Sequence, residues 1–177
     1  MKASRFLIVV TILALLGGTV TSSTAATPPV SEAAAAFLKN ESLGGLQLGM
    51  SEEDVVKLLG QPAKKDELVQ QESDATFVQH WRYPAKGVEL VMTTGERKTG
   101  PKTVHTITGT AACKFATKKG IKIGSSESAT RKAYEKEASR ETSSEEGTFV
   151  AGSVYGGIVF NFKKGKVTHI FFGSAAE

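Results

Sequence analysis

Leu46–Glu52 reads LQLGMSE, and Ile121–Glu127 reads IKIGSSE. Both stretches alternate apolar and polar residues up to a glycine, and both then reach a serine followed by a glutamate. Serine is a preferred N-cap of a helix, and an acidic residue in the first turn interacts favourably with the helix dipole. Because a pattern that recurs at a fixed distance indicates an internal repeat, the sequence predicts two copies of one unit, residues 43–110 and 111–177.

The first copy contains a short helix followed by strands. The helix begins after its N-cap Ser51 and ends at Gly60, because Pro62 prevents it from resuming. Its apolar residues are Val55, Val56, Leu58 and Leu59. Strands are predicted where apolar and polar residues alternate or where turn residues bound an apolar run. They are Phe77–Tyr83, Val88–Met92 and Thr103–Thr110, with a further strand within Asp66–Gln71.

The second copy repeats this order of elements. Ser126 caps a helix that is predicted to run to about Ala138, and Lys164-Gly165 forms a hairpin turn between the last two strands. The predicted strands are Thr148–Tyr155, Gly157–Phe162 and Lys166–Phe172. An alanine-rich stretch, Ser31–Asn40, predicts an additional N-terminal helix. The predicted fold class is therefore α+β, with two tandem copies that share one antiparallel sheet and place their helices on one face.

Several of these segments resemble a known family. The stretch Leu48–Pro62, together with Trp81–Tyr83 and Gly87–Leu90, resembles the small outer-membrane assembly lipoproteins of the SmpA/OmlA type. Tandem duplication of such a unit is similar to the architecture of beta-lactamase inhibitor protein. The resemblance implies this fold and a role in binding other proteins, and it implies no specific partner.

The N-terminus has the three parts of a secretory signal peptide. Lys2 and Arg5 are followed by the apolar run Phe6–Leu16 and then by small residues up to Ala26. The run is too short to span a bilayer, so residues 1–26 are predicted to be a cleaved signal peptide rather than a membrane anchor. No cysteine follows the run to carry a lipid. We therefore expect an exported protein, periplasmic or secreted, soluble and not lipid-anchored, that starts with a segment, residues 27–42, containing the short helix.

Composition and motifs favour binding over catalysis. Cys113 is the only cysteine, which excludes an internal disulfide; burial is the expected state, and pairing with another chain is the alternative. His80, His105 and His169 have no metal-ligand spacing, and no nucleophile, phosphate-binding or dinucleotide motif is present. The sequence therefore predicts no catalytic residue, no cofactor and no metal, and export argues against a nucleic-acid partner.

The candidate binding residues are aromatic or basic and lie on the predicted strands and their last turn. Aromatic side chains dominate protein interfaces, and the second copy carries 11 basic and 7 acidic residues. We expect Val167, His169 and Phe171 to form one stripe opposite Ile170 and Phe172, with Phe171 on the outer face. The partner-binding residues predicted are Trp81, Tyr83, Tyr155, His169, Phe171, Lys163, Lys164 and Lys166. The expected function is protein binding through an open sheet face; the alternative is binding of an anionic lipid headgroup or glycan through the basic second copy.

Overall fold

A computed structural model describes residues 32–71, 75–139 and 147–175. The predicted signal peptide, residues 1–26, lies outside the described residues. Within the described part of the chain, no helix is both long and apolar enough to cross a bilayer. We refer below to residues 43–110 as the first half and to residues 111–175 as the second half.

The described chain forms one antiparallel sheet of eight strands. Its order is β1-β3-β4-β5-β8-β7-β6, and β2 pairs with β3 beside β1. The sheet therefore passes without a break from the first half to the second through the pairing of β5 with β8. The strands are β1 (Lys64–Lys65), β2 (Val69–Gln70), β3 (Phe77–Tyr83), β4 (Val88–Thr93), β5 (Thr103–Gly109), β6 (Thr148–Ser153), β7 (Gly156–Lys163) and β8 (Lys166–Gly173).

Three helices pack on one face of this sheet. They are α1 (Glu32–Asn40), α2 (Glu52–Leu59) and α3 (Glu127–Ala133). The two predicted N-caps are confirmed, because the side chain of Ser51 accepts a hydrogen bond from Asp54 N and that of Ser126 accepts one from Ala129 N. These bonds satisfy backbone donors that the first turn of a helix leaves without a partner.

The core is formed by one row of side chains that crosses the whole sheet. The strand register places these six residues side by side, each 0 or 1% exposed. The row is Trp81, Leu90, Ile107, Phe172, Ile158 and Ala151. Leu38 of α1, Val55 of α2 and Tyr134 just after α3 belong to the same apolar cluster. The two halves therefore share one core, and burial of apolar area holds them together.

The helix starts are attached to the sheet in the same way in both halves. Gly49 N donates to Val104 O over 2.7 Å, and Gly124 N donates to Val167 O over 2.8 Å. Two further bonds on each side follow the same pattern. They are Val104 N to Met50 O and Glu52 N to Lys102 O in the first half, and Val167 N to Ser125 O and Glu127 N to Gly165 O in the second.

The strands also match in their irregularities. The register of β4 against β5 shifts after Val91, and that of β7 against β8 shifts after Asn161. Each shift leaves one residue of the partner strand, His105 in β5 and Thr168 in β8, outside the pairing. Where the halves meet, Thr108 of β5 pairs with Phe171 of β8, which occupies the equivalent position of the second half.

The structure corrects three details of the predicted elements and locates the strand predicted within Asp66–Gln71. Helix α3 ends at Ala133 rather than near Ala138, because Tyr134 leaves the helical conformation and is buried; a short 3₁₀ turn, Glu135–Glu137, follows. Within Asp66–Gln71 only Val69–Gln70 is a strand. β6 ends at Ser153, before Tyr155. Val167 does not share a face with His169 and Phe171, because the bulge at Thr168 turns it into the core, where it is 1% exposed.

Candidate functional site

The face of the sheet opposite the helices is the candidate site, and we call it the open face. One row of residues crosses it next to the buried row, and the strand register defines its members. They are Arg82, Glu89, Thr108, Phe171 and Val159. Each is half-buried or exposed, whereas Val150 of β6, which pairs with Val159 at the end of the row, is 2% exposed. The six neighbours on the other face are fully buried. A large aromatic side chain thus lies half-exposed at the middle of a sheet.

Strands β7 and β8 give the open face a gradient of polarity. Three cross-strand pairs follow one another toward the hairpin: Val159 with Phe171, Asn161 with His169, and Lys163 with Lys166. Facing side chains in such pairs are close enough to act together. Four of the predicted binding residues, His169, Phe171, Lys163 and Lys166, are therefore brought together, and Lys164 lies at the adjoining turn.

Trp81 and Tyr83 were predicted at the interface but belong to the core, and the structure corrects this prediction. Trp81 is 0% exposed, and its Nε1 donates to Gln79 Oε1 over 2.9 Å. Tyr83 is 4% exposed and donates its hydroxyl to Gly60 O over 3.2 Å. Burial raises the pKa of Tyr83 to about 12. Both rings lie on the face that the helices cover, so neither contacts a partner on the open face.

Tyr155 is separate from the open face. It lies in the turn between β6 and β7 and lines a cavity of about 440 Å³, together with Leu48, Val104 and His105. This cavity lies at the point where β5 and β8 diverge, since their pairing covers only Ile107–Gly109 and Ile170–Phe172. Tyr155 and Phe171 therefore do not form one site.

The charged residues at the first-half end of the open face are paired. Asp66 accepts hydrogen bonds from Arg82 Nη1 at 2.8 and 2.7 Å, and Lys64 Nζ lies 3.3 Å from its carboxylate. The Arg82 guanidinium lowers the pKa of Asp66, and Lys64 adds to the effect. This end of the face thus carries cations paired with a carboxylate, unlike the end formed by the β7–β8 hairpin.

A second cavity, of about 460 Å³, lies under the end of α1, and Glu41, Lys119 and Glu137 line it. Glu41 is 4% exposed, and Tyr134 donates its hydroxyl to Glu41 Oε2 over 3.4 Å. Desolvation raises the pKa of Glu41 although hydrogen bonds to the carboxylate oppose the shift. Lys119 is bound by Glu137 at 2.7 Å and by Ala133 O at 3.1 Å. The contact between Tyr134 and Glu41 connects the segment after α1 to the second half.

The described residues contain no group of three or more His, Cys, Asp or Glu side chains that could hold a metal ion. His80, His105 and His169 are each exposed on different strands. Cys113 is 2% exposed, which confirms the expected burial, and desolvation raises the pKa of its thiol. A thiol in this state is a poor nucleophile at neutral pH.

Sequence reasoning missed four members of the row on the open face, Arg82, Glu89, Thr108 and Val159. Val159 could have been found from the sequence of β7. Its neighbours Ile158 and Phe160 lie on the buried face, so the residue between them lies on the opposite face. The position of Thr108 depends on the pairing of β5 with β8, which no local pattern predicts. In comparisons with known proteins, no family model, curated protein or solved structure matches the chain.

Proposed function

We propose that this chain is an exported, non-enzymatic binding protein that holds a protein partner on the open face of its sheet. The observation that supports this proposal most is the half-buried Phe171 in the interior of the row Arg82–Glu89–Thr108–Phe171–Val159, on β8 between β5 and β7. Aromatic residues are enriched among those that contribute most to protein interfaces, and such residues cluster near the centre of the contact. The remaining residues of the row are small, apolar or charged, which suits a rim of polar contacts around an apolar centre.

We further propose that the two halves are tandem copies related by a pseudo-two-fold axis. Equivalent helix caps, equivalent helix-to-strand hydrogen bonds and equivalent bulges support this relation. Such an axis passes between Thr108 and Phe171, since these equivalent residues pair with each other. The resemblance to tandem SmpA/OmlA-type units is consistent with the same proposal. A shared fold alone specifies no partner.

The distribution of reactive groups favours binding over catalysis. The groups with raised pKa values, Tyr83, Tyr134 and Cys113, are within the core and do not face a cleft. Glu41 lines a cavity but is held by Tyr134 and lies beside Lys119, which Glu137 binds. A catalytic site needs an acid or base directed at a substrate. Glu41 is instead bonded to Tyr134, and Lys119 is bonded to Glu137.

The proposal is tested by capture of a partner from an envelope extract of the organism that makes the protein. The mature chain, residues 27–177, is immobilised beside Phe171→Ala and Thr108→Arg variants, which change the centre of the open face. We expect both variants to lose the captured protein, by at least about 10-fold for Phe171→Ala if this residue contributes as a central aromatic residue does.

Tyr155→Ala and Leu58→Ala are the matched controls. Each removes a large side chain that lies off the open face, one in the β6–β7 turn and one on α2, where Leu58 is 45% exposed. Both should capture the partner as the unchanged chain does. Equal capture by Phe171→Ala and by the unchanged chain, or loss confined to Tyr155→Ala, would contradict the proposal.

A further inference from the structure

The hairpin between β7 and β8 concentrates positive charge at its tip, Lys163–Lys166. Lys163 and Lys166 face each other across the two strands, and Lys164 and Gly165 form the turn. All four residues are exposed. Like charges opposite each other destabilise a strand pair, and Lys164 adopts φ +52°, a conformation that lysine rarely takes. The tip thus keeps three lysines at positions where the fold alone would favour other residues.

None of these three lysines forms an ion pair with a carboxylate of the described residues. The equivalent region of the first half differs, because Lys102 Nζ lies 3.3 Å from Glu52 and Lys65 Nζ lies 3.4 Å from it. The second-half equivalent of Glu52 is Glu127, which binds Arg131 of its own helix at 2.7 Å. Glu52 pairs with two lysines in the first half, whereas its second-half equivalent is already engaged by Arg131.

A fourth lysine adds to the same charge. Lys122 is exposed, and it begins the turn that ends at Ser125. That turn is bonded to β8, because Gly124 N donates to Val167 O over 2.8 Å and Val167 N donates to Ser125 O over 2.9 Å. Ser126 also pairs with Lys166. The turn that carries Lys122 is therefore next to the tip.

The shape and extent of this charge indicate what kind of anion it fits. The hairpin tip is exposed although it is bonded to the start of α3, and neither of the two cavities described above includes any of its residues. Three of the basic residues that could extend the charge across the second half are engaged: Lys118 with Asn40 O, Lys119 with Glu137, and Arg131 with Glu127. A small anion needs a concave site, and a linear polyanion needs a track of cations. A compact, exposed group of lysines matches a flat anionic surface.

We propose that the hairpin tip, with Lys122, binds the anionic headgroups of a lipid bilayer and so brings this exported protein to a membrane surface. This contact involves the hairpin end of the open face and is proposed separately from the protein partner around Phe171. Clusters of four or more lysines attract a protein to anionic lipids, and the attraction falls within a Debye length, about 8 Å at physiological ionic strength.

The experiment is co-sedimentation of the mature chain, residues 27–177, with vesicles. One set of vesicles is phosphatidylcholine, and the other is an equal mixture of phosphatidylcholine and phosphatidylglycerol. We expect binding to the mixed vesicles only, and weaker binding as salt is added. The triple variant Lys163→Gln, Lys164→Gln, Lys166→Gln should bind these vesicles at least about 10-fold more weakly.

Two further variants make the result decisive. The triple variant Lys57→Gln, Lys86→Gln, Lys98→Gln removes the same net charge from exposed lysines of the first half and should bind as the unchanged chain does. Replacing the three tip lysines by arginine keeps the charge and should keep the binding. Far-UV circular dichroism checks that each variant is folded.

Three results would overturn the proposal. One is the absence of binding of the unchanged chain to the mixed vesicles. Another is an equal loss of binding in the two lysine-to-glutamine variants, which would show an effect of net charge alone. The third is retention of the chain by immobilised polyglutamate through the tip lysines without any vesicle binding, which would assign the tip to an acidic protein instead.

Discussion

The two halves of the sheet use the same contacts to fold and different charges at their surfaces. Each begins with a serine-capped helix whose preceding glycine is bonded to the last strand of that half. Glu52 of the first half lies within 3.4 Å of the Nζ atoms of Lys65 and Lys102. Glu127 of the second half binds Arg131 of its own helix, and the hairpin lysines form no ion pair with a carboxylate of the described residues.

The difference between the halves separates structural residues from candidate binding residues. The shared glycines, caps and bulges fix the backbone, and they contribute no reactive group. The features that differ are the exposed lysines of the hairpin and Phe171, which occupies the position of Thr108 in the other half. Residues that depart from the equivalence of the two halves are thus the better candidates for function.

The largest expected effect tests whether the halves form one cooperative unit. Phe149 of β6 is 2% exposed and contacts Phe160, with ring centroids 6.2 Å apart. Replacing a buried phenylalanine by alanine costs about 3–5 kcal/mol of unfolding free energy. Trp81, the only tryptophan, lies in β3 of the first half, so its fluorescence reports on that half alone. We expect Phe149→Ala to shift the urea midpoint of Trp81 fluorescence as far as that of far-UV circular dichroism.

The shared row of core residues is the physical reason for this expectation. A mutation in one half of a single core weakens the whole domain when unfolding is two-state. Ser128→Ala, an exposed replacement on α3, should leave both midpoints in place. A fluorescence midpoint that stays unchanged in Phe149→Ala while the circular dichroism midpoint falls would show that the halves unfold separately.

An effect of intermediate size tests whether the two helix starts are equivalent. Ser51→Ala and Ser126→Ala each remove the side-chain acceptor of one backbone hydrogen bond, at 3.1 and 3.3 Å. Loss of a serine N-cap typically costs about 1 kcal/mol. We therefore expect similar losses of unfolding free energy, measured by urea denaturation of each variant. A loss at one site with none at the other would disprove the equivalence of the two caps.

The smallest effects concern two carboxylates whose pKa values shift in opposite directions. Arg82 lowers the pKa of Asp66, so the ionised form stabilises the fold above the ordinary pKa of 3.8, and this contribution is lost as the pH falls. Desolvation raises the pKa of Glu41, so its ionisation weakens the fold as the pH rises above the ordinary value of 4.5. At pH 7, Asp66→Asn should lower the urea midpoint and Glu41→Gln should raise it.

Both differences should shrink in acid, where the wild-type carboxyls are protonated and resemble the amides that replace them. Urea denaturation at pH 7 and at a pH below both ordinary values provides the comparison. A shift of the same sign in the two variants at pH 7 would contradict the assigned environments.

Local pattern predicted the elements well because local chemistry determines them. The structure confirms four local features: the N-caps Ser51 and Ser126, the helix end at Gly60 and the turn at Lys164-Gly165. Each of them depends only on the few residues around it in the chain. The predicted end of α3 was wrong because the burial of Tyr134 against Phe37 and Phe160 outweighs the helix propensity of the residues that follow. Tertiary packing of this kind has no local signal.

The candidate site was predicted only in part, for two physical reasons. Aromatic residues fit a core as well as an interface, so Trp81 and Tyr83 could not be separated from Phe171 by residue type. A one-residue bulge also reverses the faces of a strand, and the bulge at Thr168 moved Val167 away from His169 and Phe171. The pairing of β5 with β8, which places Phe171 at the middle of the sheet, joins segments more than sixty residues apart.

Site-specific photo-crosslinking in living cells tests the proposed binding face most directly. A photoreactive phenylalanine analogue replaces Phe171 on the open face or Leu58 on α2, which packs against the other face. The proposal predicts an adduct between this chain and a second protein from position 171 and none from position 58. Adducts from position 58 alone, or no adduct from position 171 in cells that export the chain, would contradict it.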